Sequence, residues 1–183
     1  MTHKKSYIYL SLIIFLQLCL LFYYMTQKAG FHIDELWSYN ISTSLNTPPI
    51  YSKDFKYDQQ YLYNKWIPGE YFKNHLTVQN EEKFDYLKVK QNISKDNHPP
   101  FYQYLIHTIC SFFPDSFSKW YGLSLNLLLF VLSQIILFFI CIKFFSDKLS
   151  LLIILYYGLT SASINTFINI RMYDLLTFFF LLV

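Results

Sequence analysis

The run Trp120-Tyr121-Gly122-Leu123-Ser124-Leu125-Asn126-Leu127-Leu128-Leu129-Phe130-Val131, continued through Leu132-Ser133-Gln134-Ile135-Ile136-Leu137-Phe138-Phe139-Ile140-Cys141-Ile142, decides the fold. It contains no acidic or basic residue and no proline. As a helix rising about 1.5 Å per residue it is roughly 34 Å long, enough to cross a hydrocarbon core about 30 Å thick. Inside lipid a backbone has to satisfy its own N–H and C=O groups, which a continuous helix does. Two uncharged runs of the same kind lie on either side, over 7–25 and 149–170. A fourth, over 175–183, covers less than half of a bilayer core and reads as the beginning of another span. The expected fold is therefore an all-α membrane protein. It would be a multi-span helical bundle with a long loop over 26–119, truncated in its fourth span, the front portion of a longer protein or a truncated reading frame.

Composition supports this. Hydrophobic residues make up 54% of the 183, aromatic residues 21% and charged residues only 15%, against about 25% charged in soluble domains. A net charge of +3 excludes a nucleic-acid-coating protein, and the apolar content excludes a disordered one. Four Gly and six Pro form no glycine-rich phosphate loop. Cys19, Cys110 and Cys141 lie in apolar stretches without paired spacing, which predicts buried structural thiols rather than a zinc site or disulfides. The first apolar run is longer than the 7–15-residue core of a signal peptide and has no A-x-A site after it, so it reads as an uncleaved anchor.

Positive charge next to the spans sets the expected orientation. Lys4 and Lys5 precede the first span, and Lys143 and Lys148 flank the turn between the second and third. Both sites are expected in the cytoplasm, which puts the N-terminus inside, in a multi-pass protein of the cell membrane. Residues 26–119 and the neighbourhood of Arg171 then lie on the outer face. Within the outer segment, Pro48-Pro49, Pro68-Gly69 and His98-Pro99-Pro100 signal turns. Helices are expected over 34–44 and 81–91, with a juxtamembrane helix over 101–113.

Three clusters can carry chemistry. Asp34-Glu35 follows the first span closely, and adjacent carboxylates at a membrane surface are paired, capping a helix start, or functional. In Asp96-Asn97-His98-Pro99-Pro100-Phe101-Tyr102, two prolines fix the backbone that presents His98 at a helix start. In Arg171-Met172-Tyr173-Asp174, Arg171 either pairs with Asp174 at the boundary or grips a phosphate with its fork of donors.

These motifs occur in a familiar order: a D-E pair after the first span, H-P-P-F-Y closing the long loop, and R-M-Y after the third span. The chain resembles the N-terminal part of the GT-C membrane glycosyltransferases. It is most similar to the family-39-like branch of protein O-mannosyltransferase-like, aminoarabinose-transferase-like and lipopolysaccharide-core galacturonosyltransferase-like enzymes. The matching residues are Asp34-Glu35-Leu36-Trp37-Ser38, His98-Pro99-Pro100-Phe101-Tyr102 with Leu105 and His107, and Arg171-Met172-Tyr173. The loop over 44–95 is longer than in many members.

The resemblance implies transfer of a hexose or pentose from a polyprenyl-phosphate carrier to a cell-envelope glycan, lipid or protein on the outer face. It implies Asp34 as the base, with Glu35 orienting the acceptor or helping Asp34 hold a divalent cation, which some members use and others do not. His98, Arg171, Tyr102 and Tyr173 are the implied substrate-binding residues. The alternative from another class is a non-catalytic remnant or accessory membrane subunit. A transporter is disfavoured, because the complete spans carry no ionisable residue.

Overall fold

The computed structural model describes residues 3–44, 66, 69–94, 96 and 98–183. The turn expected at Pro48-Pro49 lies outside them. Among the described residues the chain is all-helical, with nine α-helices. In chain order these are α1 (His3–Gln27), α2 (Ile33–Thr43), α3 (Gly69–Asn74), α4 (Tyr86–Ile93), α5 (Phe101–Ser111), α6 (Lys119–Phe144), α7 (Asp147–Leu159), α8 (Ser161–Ile168) and α9 (Tyr173–Leu182). They fall into two compact units. One comprises Met1–Gly30 with Gly122–Val183, the other Phe31–Tyr121.

In the first unit, α1 and α6 are each long and apolar enough to cross a membrane, and α7 with α8 make a third such span if taken together. The buried positions of α1 are Ser6, Leu10, Ile14, Gln17, Leu21 and Met25. They recur every three or four residues and form one stripe. Its opposite face exposes Ile8, Leu12, Phe15, Leu16 and Phe22. A soluble helix turns a polar face outward. Here the outward face is apolar, which suits lipid, and the buried stripe carries the polar Ser6 and Gln17 among apolar residues. Leu10, Ile14, Phe138, Leu151 and Ile154 form the core shared by α1, α6 and α7.

Between spans lipid is as apolar as leucine, so close packing and polar contacts hold helices together. Ser6 on α1 donates to Asp147 at the start of α7. Gln17 Nε2 donates to the carbonyls of Ile154 (3.0 Å) and Leu155 (3.3 Å). Gly158 makes the approach of α7 possible, since a Cβ there would lie 2.5 Å from Gln134 Nε2. Asn126 Nδ2 on α6 donates to the carbonyls of Phe167 (3.1 Å) and Asn169 (2.7 Å), satisfying the C-terminal end of α8.

The span expected as one helix over 149–170 is broken. Thr160 is extended (φ −67°, ψ 144°), and its hydroxyl accepts the Ser163 N–H as an N-cap. The axes of α7 and α8 diverge by 58° there. A threonine that caps its own successor helix stops one helix and starts the next without proline.

In the second unit, α2, α4 and α5 close on Ile41, Val89 and Ile93, with Trp37 and Tyr104 against them. Tyr39 is fully buried; its hydroxyl donates to the Ser118 carbonyl at 2.9 Å and its ring meets Phe31 and Phe117 edge-on. Asn92 Nδ2 donates to the Ile41 and Ser44 carbonyls at the end of α2. The helix expected over 81–91 is split instead. A short 3-10 turn spans Asn80–Glu82, Phe84 takes a positive φ of 59°, and Asp85 then caps α4 by accepting the Lys88 N–H. Helix α5 begins after Pro100 and ends at Ser111, close to the range expected.

Candidate functional site

Helix α2 starts in a capping box. The Glu35 carboxylate accepts the His32 N–H at 2.7 Å, while His32 Nδ1 accepts the Asp34 N–H at 3.3 Å. This reciprocal arrangement satisfies donors that a helix start leaves open. Glu35 is completely buried, so its carboxylate is a structural element of the helix start. Asp34 points the other way: its side chain is 54% exposed, with Oδ2 3.5 Å from His32 Nδ1. Of the adjacent acids, Asp34 is the one that solvent or a substrate reaches.

His98 sits on the turn ahead of α5, and its Nδ1 lies 2.9 Å from Asp96 Oδ1. The other oxygen of Asp96 is 3.4 Å from the indole Nε1 of Trp37, on the α2 turn next to Asp34. The Asp96 N–H is tied to the Ile93 carbonyl at 2.8 Å, which fixes the carboxylate to the end of α4. Asp34, Trp37, Asp96 and His98 thus belong to one unit. Tyr102 belongs to it too, but as a fully buried member of its core.

Sequence reading singled out His98 without seeing what holds it. Asp96 lies in the same motif, two residues away, and a carboxylate at that distance from a histidine is the signal that was there to be used.

His107 is also part of the resemblance. It is fully buried, and its Nδ1 donates to the Ser42 carbonyl at 2.7 Å, joining α5 to the end of α2. Burial lowers its pKa from the ordinary 6.5, against a smaller opposing effect of that carbonyl and of Asp85. A neutral, enclosed imidazole of this kind is a bolt between helices. Burial likewise pushes the Cys110 thiol up to about 12, leaving it inert. All three cysteines are free; Cys110 and Cys141 are buried as expected, whereas Cys19 is exposed on the outward face of α1.

Arg171 and Tyr173 belong to the other unit. The Arg171 guanidinium carbon lies 5.9 Å from the centre of the Tyr173 ring, and Tyr173 is about half exposed. The ion pair weighed between Arg171 and Asp174 is not formed: Asp174 is fully buried, and neither of its carboxylate oxygens has a hydrogen-bond partner among the described residues.

Among the described residues no three His, Cys, Asp or Glu side chains come together in a way that could hold a metal ion. Two apolar recesses run along α1 and α6, of about 430 and 380 Å³, sharing Phe15, Leu18 and Val131. They offer room for hydrocarbon and no charged group. No protein-family model, curated protein or solved structure matches the chain.

Proposed function

We propose that the chain is the N-terminal part of a GT-C-type glycosyltransferase that moves a sugar from a polyprenyl-phosphate carrier to an acceptor on the outer face of the cell membrane. The observation that carries this reading is that an exposed acid, Asp34, and a carboxylate-held histidine, His98, belong to one compact unit, where Trp37 of α2 reaches Asp96. Sugar transfer needs a base for the acceptor hydroxyl and a group for the departing phosphate. Asp34 is the base. It takes the hydroxyl proton as the oxygen attacks the anomeric carbon, and the lipid phosphate leaves in one inverting displacement. The resemblance assigns Arg171, whose guanidinium lies beside the Tyr173 ring, to the phosphate of the donor. Glu35 acts indirectly by fixing the start of α2 on which Asp34 rides.

Donor and acceptor meet outside because the lipid carrier brings the sugar there, so the N-terminus and the α6–α7 turn belong in the cytoplasm. The test is Asp34→Asn in the protein reconstituted with polyprenyl-linked sugars. The change keeps size and hydrogen bonding but removes the base, and transfer is expected to fall about 10²–10⁴-fold with insertion intact. Near-normal turnover would reduce Asp34 to a helix-start acid.

A further inference from the structure

We propose that Asp96 and His98 form a proton-transfer dyad, in which His98 is the catalytic acid toward the departing phosphate and Asp96 the positioning residue behind it. This rests on the sugar-transfer reading. A carboxylate only accepts, so the 2.9 Å approach of His98 Nδ1 to Asp96 Oδ1 places the ring hydrogen on Nδ1. That leaves Nε2 to meet a substrate. The dyad is held from behind: Trp37 Nε1 donates to Asp96 Oδ2 from α2, and the Asp96 backbone is bonded to Ile93 at the end of α4. The Asp96 side chain is 14% exposed while that of His98 is 33% exposed, so the brace is covered and the ring is accessible.

The proton-giving form of the ring is the imidazolium, with hydrogen on both nitrogens: Nδ1–H toward Asp96 and Nε2–H toward the substrate. The charged residues of α2, Asp34 and Glu35, are engaged with His32 at the helix start, and Trp37 meets the dyad as a neutral donor. Pro99 and Pro100 follow directly and fix the backbone that carries the ring.

Asp34 takes the proton of the acceptor hydroxyl, and that oxygen forms a bond to the anomeric carbon. The bond between that carbon and the carrier phosphate oxygen breaks, its electron pair going to the oxygen. His98 Nε2 gives its proton to the same oxygen, and the neutral ring is recharged from water while Asp34 releases its proton. One proton is taken and one is given, with no oxidant or reductant.

The test uses the full chain in phosphatidylethanolamine–phosphatidylglycerol vesicles. Polyprenyl-phosphate-linked mannose, galacturonic acid and aminoarabinose serve as donors, with lipid A and a serine-rich peptide as acceptors. In ¹⁵N-histidine spectra the neutral ring of His98, the form left once Nε2 has given its proton, is expected as the Nδ1–H tautomer, and Asp96→Asn to move it toward Nε2. Asp96→Asn and His98→Gln should each lower kcat roughly 10²-fold or more with donor KM nearly unchanged, and Asp96→Glu should restore a large part. Spectra in which Asp96→Asn leaves the His98 ring nitrogens unchanged overturn the dyad whatever the activity. Full transfer by both variants while Asp34→Asn is inactive overturns the role of His98 and leaves the sugar-transfer reading standing. A wild-type chain that transfers none of the three sugars overturns that reading, and the catalytic role of the dyad with it. Since Asp96→Glu keeps the charge, its spectrum and rate decide the matter even if His98→Gln does not fold.

Discussion

Replacing Gly158 by alanine tests how tightly the membrane helices are packed. A Cβ at Gly158 would fall inside contact distance of Gln17 Nε2 and 2.5 Å from both Gln17 Cδ and Gln134 Nε2. Those atoms end flexible side chains, yet both glutamines are fully buried and Gln17 is committed to the Ile154 and Leu155 carbonyls. Moving it forfeits two interhelical hydrogen bonds, which between membrane helices average about 0.6 kcal/mol each. Crowding a packed interior adds about 1–3 kcal/mol. Alanine recovers about 1 kcal/mol through its better helix propensity. The net expectation is a loss of about 1–3 kcal/mol, read as a shifted midpoint of reversible unfolding in mixed detergent micelles by circular dichroism. A double-mutant cycle checks the cause: with Gln17→Ala already present, Gly158→Ala should cost no more than half as much. Equal cost in both backgrounds, or a Gly158→Ala protein as stable as wild type, would refute the close approach of Gln17 to α7.

Arg171→Lys should raise the donor KM roughly tenfold, since an ammonium lacks the two-pronged fork; unchanged donor use in Arg171→Lys and Arg171→Ala alike would leave it a boundary residue. Because burial lowers the pKa of His107, the unfolded chain binds the proton more readily than the folded one. Stability from this group is full above pH 6.5 and falls as the pH drops from 6.5 toward the folded-state value. Hydrogen exchange corrected for intrinsic rates should show α2 and α5 loosening below pH 6.5, and His107→Gln should remove that slope; a pH-independent pattern would contradict it. In a background without cysteine, Ser94→Cys should react with an impermeant maleimide on intact cells and Ser146→Cys should be protected, and the reverse would overturn the orientation.

How far the sequence could be read depended on the range of each interaction. The helices α1 and α6 are legible because a bilayer demands a long uncharged run, and little else produces one. Helices α2 and α5 follow from an acidic start and a double proline, both local signals. The break at Thr160 was missed because serine and threonine are common inside apolar runs. Only the extended backbone of Thr160 and its bond to Ser163 show that it caps a helix. Phe84 gave no warning either, since positive φ is ordinarily the province of glycine and asparagine. Asp34 and His98 stood out by residue type and motif. What braces His98 did not, because Trp37 reaches Asp96 across 59 positions of chain. The inward placement of Gln17 was likewise invisible, its partners being carbonyls that any residue could supply.

That glutamine has a consequence for how the protein is made. Gln17 emerges from the ribosome in the first helix, but the carbonyls that accept from its Nε2 belong to residues 137 and 138 positions further on. At a synthesis rate of about 5–20 residues per second, the wait is roughly 7–27 s. Throughout it, α1 holds a polar amide whose donor has no native partner yet in existence. The first helix is thus born incomplete. It has to shelter its amide against water, lipid headgroups or the insertion machinery until α7 arrives, and biogenesis rather than equilibrium stability is where a substitution at Gln17 would be felt first.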